Sequence, residues 1–464
     1  MTNKNKTIAG SFRDPSGFLF NRDGILYRQI NHVGVDDYEL TLSSGLYDAL
    51  VEKKLLIPHQ EVDIPAHVPE IAYKIIQPEQ VQFISYPYEW CFSQLKHAAL
   101  ATLKIQRLAM QHGMSLKDSS AYNIQFNRGR PTLIDTLSFE RYQPGEPWVA
   151  YRQFCQHFLA PLALMAHKDV RLISLLRTNI DGIPLDLASK LLPKRTSLVA
   201  SLLMHLHLHA KSMRMSASKS IDRESVSGKM SETSLVGLID SLQSGINRLN
   251  WDPGGTDWAD YYDQTNYTAN GFESKKQIVA EFLDRTRANM VWDLGANTGV
   301  FSHLATEAGK ETISFDLDPA AVEKNYRICL KEKNPLMFPL VMDLTNPSPS
   351  LGWHNNERES LLERGPADAV LALALIHHLV IGNNLPMRKV AQFLRDTGQW
   401  LIIEFIPKED SQVQKMLSLR VDIFQDYRQE NFERAFKEHF RILDVQHVVD
   451  SGRRIYLMQV RSPM

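Results

Sequence analysis

The sequence predicts an α/β protein with a doubly wound, mainly parallel sheet in its C-terminal part and a separate α+β domain before it. Residues 291–316 contain an apolar strand, a glycine turn, a helical stretch and a second apolar strand that ends at Asp316. Apolar strands then alternate with helical stretches up to residue 460, which is the pattern of a parallel sheet. The N-terminal half begins with a hairpin and continues into long helices, and 464 residues exceed one typical core. We therefore expect at least two domains.

The N-terminal elements follow from turn residues and hydrophobic periodicity. Residues 17–30 predict a hairpin that turns at Asn21-Arg22-Asp23-Gly24. Helices are expected at 36–53 and 92–112, and strands at 72–76 and 82–86. Residues 210–234 are rich in Ser, Lys and Met and poor in large apolar side chains, which is typical of a flexible connection. The predicted domains are thus residues 1–209 and 235–464, joined by this linker.

In the C-terminal domain, short apolar runs bounded by polar residues and glycines predict the strands. They are expected at 290–294, 312–316, 337–342, 367–373, 399–405, 441–449 and 453–460. Helices are expected between them, at 300–308, 319–331 and 386–396. Asp450-Ser451-Gly452 separates the last two strands and predicts a hairpin that ends the sheet.

Composition excludes several classes of function. The net charge is −1 with 44% hydrophobic and 23% charged residues, which gives no electrostatic basis for binding nucleic acid. The longest apolar run, 369–376, is too short to span a membrane, and the first residues do not resemble a signal peptide. The three cysteines are far apart in sequence and form no C-x-x-C pair, so we expect neither disulfides nor a metal site, and a cytoplasmic location.

The turn after the first C-terminal strand points to a nucleoside cofactor. Its sequence is Gly-x-Asn-x-Gly over 295–299, and Asp293 lies two residues before it. Glycines allow a ligand to approach the backbone closely, and an acid that ends the next strand can accept two ribose hydroxyls. A dinucleotide site has three glycines in a different spacing, and Asp293 would repel its pyrophosphate. A carboxylate here suits a ligand with ammonium and sulfonium charges.

This pattern resembles motif I of the class I S-adenosylmethionine-dependent methyltransferases, whose sheet is Rossmann-like and ends in an antiparallel strand pair. The resemblance implies S-adenosyl-L-methionine as cofactor. It also implies that Asp316 binds the ribose and that Asp343, after the third strand, faces the adenine, although Asp343 is also typical of a polar cap. The methionine end would be lined by Asp293, Gly295, Ala296, Asn297 and Gly299.

Methyl transfer from a sulfonium is an in-line displacement that needs few catalytic side chains. His377 and His378 follow the fourth strand and are the candidate bases, because histidine titrates near neutrality. Either could instead have a packing role. Glu404 ends the next strand and has two open interpretations, a substrate contact or a buried structural carboxylate. Lys276 could meet the cofactor carboxylate, or it could be a solvated helix lysine.

Residues 118–135 resemble the catalytic loop and metal-binding aspartate of the kinase-like fold. The resemblance rests on Asp118, on Asn123 five residues later, and on Asp135 at the end of an apolar strand. The departures are Leu116 in the place of the catalytic-loop histidine, no glycine-rich loop, and Arg28 or Gln29 in the place of the phosphate-pairing lysine. Asp118 and Asn123 could instead be turn and cap residues. We expect a kinase-like domain that has lost phosphotransfer and serves substrate binding or scaffolding.

From about Gly10 to the end, the chain resembles bacterial methyltransferases associated with host-specific nodulation proteins. The predicted function is S-adenosylmethionine-dependent methyl transfer to a small-molecule or glycan acceptor. Two alternatives remain open. One is a bifunctional kinase–methyltransferase acting on a surface glycan, and the other is a non-catalytic binding protein that keeps the cofactor fold. The sequence does not identify the acceptor, the methylated atom or the oligomeric state.

Overall fold

The computed structural model describes residues 5–212, 230–254, 267–418 and 421–461. Packing divides the chain into two units. The first unit comprises residues 1–252 together with 351–358, and the second comprises 253–350 together with 359–464. Within the described ranges, every helix is too short or too polar to cross a bilayer.

The first unit begins with a five-stranded antiparallel sheet in the order β1-β2-β3-β5-β4. The predicted hairpin is confirmed: β2 and β3 pair from Gly17↔Ile30 to Arg22↔Ile25. Asp23 and Gly24 both have positive φ at its turn, which is the backbone conformation that a tight hairpin needs. The five strands are β1 Asn5–Thr7, β2 Gly17–Arg22, β3 Ile25–Asn31, β4 His59–Glu61 and β5 Ala72–Pro78.

A mainly helical part completes the first unit, and two small hairpin-like sheets lie within it. These pair β6 (Met114–Leu116) with β9 (Phe139–Arg141), and β7 (Ile124–Asn127) with β8 (Arg130–Leu133). The α-helices are Val35–Ser43, Leu46–Glu52, Phe92–Gln111, Tyr151–Phe154, Ala160–His167, Leu175–Thr178, Leu185–Leu191, Ala200–Leu202 and Glu232–Arg248. A small antiparallel sheet followed by a helical part is the α+β architecture predicted for a kinase-like domain.

Two local predictions in this unit were wrong. The helix expected at 36–53 is two helices, because Gly45 adopts φ 76° and interrupts the hydrogen-bond pattern. Residues 82–86 form no strand. The side chain of Gln125 bonds instead to the backbone of Ser85, accepting from its nitrogen at 2.9 Å and donating to its oxygen at 3.0 Å.

Packing separates the units after Asp252 rather than near residue 235. Helix Glu232–Arg248 packs in the first unit and buries Leu235, Ile239 and Leu242. Residues 351–358 also join this unit, where the buried carboxylate of Glu357 accepts two hydrogen bonds from Arg13. Most of the predicted linker, residues 213–229, lies outside the described residues.

The second unit contains a seven-stranded sheet in the order β12-β11-β10-β13-β14-β16-β15. Neighbouring strands from β12 to β14 pair in parallel, whereas β16 is antiparallel to both β14 and β15. The strands are β10 Met290–Leu294, β11 Glu311–Asp316, β12 Met337–Val341, β13 Ala367–Ala372, β14 Gly398–Phe405, β15 Phe440–His447 and β16 Arg454–Val460. This is the class I methyltransferase fold that the sequence predicted.

Helices connect the parallel strands and cover the sheet. They are Ala269–Thr286, Val300–Glu307, Pro319–Glu332, Met387–Thr397, Ser411–Leu417 and Gln429–Lys437. Helix Ala269–Thr286 buries Val279 and Phe282 against Val291, Leu371 and Ile402 of the central strands. The strand order reverses beside β10, because β11 and β12 follow on one side of it and β13 and β14 on the other. In open parallel sheets, ligands bind at the carboxyl ends of the strands at such a reversal.

Candidate cofactor site and acidic loop of the first unit

The turn after β10 lies at this reversal and is held by the next strand. The backbone nitrogens of Gly295 and Ala296 both donate to the carbonyl of Phe315, at 2.9 Å. Gly295 and Gly299 have φ of 80° and 83°, and Asn297 has φ of 53°. A Cβ on Gly299 would lie 2.4 Å from the Asn325 side chain, so only glycine is accommodated there. The predicted turn residues therefore form one compact backbone loop.

Asp316 lies at the end of β11, directly beside this loop. One carboxylate oxygen accepts the backbone nitrogen of Asn297 at 2.7 Å, and the other accepts that of Asp318 at 2.8 Å. Burial raises the pKa of Asp316 to about 6, although these two hydrogen bonds oppose the shift. Each oxygen can accept a second hydrogen bond. The carboxylate is thus fixed in place and still has acceptor capacity.

Asp293 lies within β10 and is only 2% exposed. Its one described hydrogen bond comes from the hydroxyl of Ser302 at 2.6 Å. Burial, with a smaller contribution from the negative charge of Asp316, raises the pKa of Asp293 to about 7 against the opposing effects of Ser302 and Lys275. A buried carboxylate with so few donors favours a cationic neighbour.

Asp343 follows β12 and is engaged locally. One of its oxygens accepts both the backbone nitrogen of Thr345, at 2.8 Å, and the hydroxyl of Thr345, at 2.7 Å. This is the turn-capping geometry that the sequence left as an alternative. The contact leaves its other oxygen for a ligand, so the adenine role stays a prediction.

His377 and His378 begin a short helical segment after β13, and their rings lie 4.1 Å apart between centroids. His377 is buried, and its Nδ1 makes no hydrogen bond within the described part of the chain. Burial lowers the pKa of His377 well below its usual value and lowers that of His378 to about 4. Both rings are therefore neutral at physiological pH, and a base with so low a pKa removes protons poorly.

A buried ionic cluster lies behind this segment. Glu404 is fully buried and accepts from Lys275 Nζ at 2.7 Å, from the hydroxyl of Tyr267, and from the backbone nitrogen of Ala374 at 2.8 Å. Burial alone would raise the pKa of Glu404, but Lys275 and Arg453 overcome it and lower the pKa. Glu404 is thus a structural carboxylate that anchors the segment leading to His377.

Lys275 and Arg453, which are 3% and 1% exposed, were not among the residues predicted from the sequence. The predicted candidate was Lys276, which is more exposed and whose Nζ lies 3.8 Å from Oε2 of Glu273. The helical spacing does indicate that Lys275 is buried. It precedes the apolar Ile278 and Val279 by three and four residues and so lies on the same helix face. No comparable sequence pattern marked Arg453.

In the first unit, the structure brings Asp118 and Asp135 near each other. Asp118 accepts from the backbone of Ser120 and from Gln153, at 2.9 and 2.8 Å. Burial raises the pKa of Asp118, and the charge of Asp135 adds to that rise. The backbone of Asn123 is tied to the strand before Asp135, because its oxygen accepts the nitrogen of Ile134 at 2.8 Å.

Asp135 already has a cationic partner. Arg28 forms an ion pair with one oxygen of Asp135, and Ser138 donates to the other at 2.9 Å. Burial would raise the pKa of Asp135, but the positive charge of Arg28 and the hydrogen bonds from Arg28, Leu137 and Ser138 together lower it. A guanidinium therefore lies where the kinase-like resemblance would place a metal ion.

The chain is 37% identical over 460 residues to nodulation protein NoeA of Rhizobium meliloti (strain 1021), covering 97% of this chain and 96% of that protein. The chain therefore belongs to the NoeA family. No protein-family model matches it.

Solved structures are similar at low sequence identity. One is magnesium protoporphyrin IX methyltransferase from Synechocystis PCC 6803 with bound SAH, at 17% identity and TM-score 0.32, covering 44% of this chain and 93% of that one. Another is WbdD, at 15% identity and TM-score 0.31, covering 46% of each chain. A third is the PH0226 protein of Pyrococcus horikoshii OT3, at 14% identity and TM-score 0.32, covering 44% of this chain and 96% of that one.

Proposed function

We propose that the second unit binds S-adenosyl-L-methionine and transfers its methyl group to a small-molecule or glycan acceptor. The observation that carries this proposal is Asp316, whose carboxylate is held beside the glycine turn by backbone donors and keeps acceptor capacity. Two vicinal ribose hydroxyls are the matching donors. The glycine turn beside it lets a ligand lie against the backbone.

Asp293 supports a cofactor with positive charge. Its carboxylate is buried with one described hydrogen-bond donor, and burial raises its pKa to about 7. A sulfonium or ammonium group nearby would offset the cost of that buried negative charge. The pyrophosphate of a dinucleotide would instead increase the repulsion.

When bound, the cofactor supplies an activated methyl group, so the protein has mainly to orient the acceptor and exclude water. His377 and His378 suit orientation better than proton removal, because their pKa values are low. Glu404 holds the preceding backbone at Ala374 and thereby fixes the approach to both rings. An acceptor that loses its proton to solvent after transfer would need no stronger base.

We propose that the first unit assists acceptor binding without transferring phosphate. The ion pair between Arg28 and Asp135 supports this, because it neutralises the carboxylate that a catalytic magnesium would need. It also disfavours the bifunctional kinase–methyltransferase.

The three cysteines are buried and free, which supports a reducing, cytoplasmic location for the whole protein.

Calorimetry on the purified full-length protein tests the cofactor proposal. S-Adenosylmethionine and S-adenosylhomocysteine should bind, whereas NAD should not, because Asp293 precedes the turn. Transfer of a labelled methyl group to a glycan extract would then separate an enzyme from a binding protein. NAD binding without S-adenosylmethionine binding would refute the assignment.

A further inference from the structure

The first unit has a groove of about 630 Å³ that none of the predicted site residues lines. Its walls come from the turn after helix Leu46–Glu52, from helix Phe92–Gln111, from the β7–β8 hairpin and from helix Glu232–Arg248. That volume lies within the range of small-molecule sites and would hold one or two sugar units with substituents.

The groove is strongly basic. Among the described residues, five cationic side chains and no acidic side chain line it: Lys53, Lys54, Lys104, Arg107 and Arg130. Arg107 pairs with Asp240, while the other four make no ion pair within the described ranges. The whole chain carries a net charge of −1, so this is a local concentration of positive charge and not a general surplus.

Long-range hydrogen bonds fix the walls of the groove. The backbone nitrogen of Leu133 donates to Leu55 at 2.8 Å, which joins the hairpin to the turn that carries Lys53 and Lys54. On the other side, Lys96 Nζ donates to the carbonyls of Asn247 and Leu249, at 3.0 and 2.7 Å. Because the cations come from three elements whose backbones are held in place, their positive charges stay close together and repel one another. A multiply charged anion would relieve this repulsion.

We propose that this groove binds a small saccharide that carries at least two phosphate or sulfate groups. The lysines and arginines would contact the anionic groups. Gln243 and Asn247 also line the groove and are exposed, so their amides are available for sugar hydroxyls. The proposal is independent of methyl transfer, because every residue involved belongs to the first unit.

The test measures binding of glucose 1,6-bisphosphate to the full-length protein by calorimetry, with inorganic pyrophosphate and glucose as comparison ligands. EDTA is included so that magnesium cannot bridge a ligand to the carboxylates of Asp118 and Asp135. We expect the bisphosphate to bind, glucose not to bind, and the affinity to fall several-fold between 50 and 200 mM salt as exposed charges are screened. Binding of pyrophosphate alone, or of glucose as tightly as the bisphosphate, would overturn the saccharide assignment.

Variants locate the site. The double variant Lys104→Gln/Arg130→Gln should lose at least tenfold in affinity, and Lys53→Gln/Lys54→Gln on the opposite wall should lose a similar factor. Arg128→Gln is the matched control, because Arg128 is exposed in the same hairpin but does not line the groove, and it should change affinity less than twofold. Unchanged affinity in both double variants, or an equal loss in Arg128→Gln, would overturn the proposal. All substituted side chains except Lys104 lie in turns or a hairpin, so the variants should keep the helix content of the native protein. Circular dichroism of each variant checks this independently of binding.

Discussion

Replacing Asp293 with asparagine should change the pH dependence of stability and weaken cofactor binding at the same time. Burial raises the folded-state pKa of Asp293 from 3.8 to about 7. The folded protein therefore binds a proton that the unfolded chain releases. The resulting stabilisation is fully present below about pH 4, decreases as pH rises, and is lost above about pH 7. Asparagine does not ionise and has no such dependence.

The magnitude follows from the pKa shift. Each pKa unit of difference is worth about 1.4 kcal/mol. Between pH 5 and pH 8 the free energy of unfolding of the native protein should therefore fall by up to about 3 kcal/mol, whereas that of Asp293→Asn should show no such fall. The amide nitrogen of asparagine lacks a described partner, which costs about 1–3 kcal/mol, but that cost is the same at every pH. The pH slope therefore isolates the ionisation.

Native-state hydrogen exchange of peptides from β10 and β11 measures this slope, with variant and native protein compared at each pH. Asp284→Asn is the control, because Asp284 is an exposed acid on a helix of the same unit. Affinity for S-adenosylmethionine at pH 8 should fall tenfold or more in Asp293→Asn, since a charged contact worth about 1.5–3 kcal/mol is lost. Equal pH slopes in both proteins together with equal affinity would refute the role given to Asp293.

Three further predictions concern the two units. Asp316→Ala should reduce S-adenosylmethionine affinity at least tenfold in a folded protein, because two charge-assisted hydrogen bonds of about 1.5–3 kcal/mol each are lost. The control Asp284→Ala should leave the affinity measured by calorimetry unchanged. Gly295→Val should reduce that affinity more than Asp343→Ala, since Gly295 has φ 80° and its Cβ would lie 3.3 Å from Leu375; the reverse order would show that the cleft is elsewhere. The full-length protein should not transfer phosphate from labelled ATP with magnesium, because Arg28 occupies Asp135; transfer that Asp118→Asn abolishes would instead establish the bifunctional enzyme.

Residues 351–358 pack in the first unit, where Glu357 accepts two hydrogen bonds from Arg13. Deleting residues 1–210 would remove Arg13 and leave the buried carboxylate of Glu357 without this partner, which is costly for a charged group. Point variants are therefore the sounder way to separate the roles of the two units.

The sequence by itself determined the sheet of the second unit and the position of its turn. The strand predicted at 290–294 is observed at Met290–Leu294, and the last hairpin has the predicted turn at 450–452. These features are local, because strand periodicity, positive-φ glycines and turn residues act within a few positions of one another. The placement of Asp316 beside the glycine turn also follows, since adjacent parallel strands end at the same edge.

Only the tertiary structure decided which charged groups meet. Lys275 and Arg453 enclose Glu404, Arg28 pairs with Asp135, and helix Glu232–Arg248 joins the first unit instead of the second. Each of these outcomes depends on contacts between residues far apart in the chain, and neighbours such as Lys275 and Lys276 are chemically identical in sequence. Which of the two lysines is buried depends on the helix face that packs on the sheet. The buried lysine then needs a fixed partner for its charge, whereas the exposed one does not.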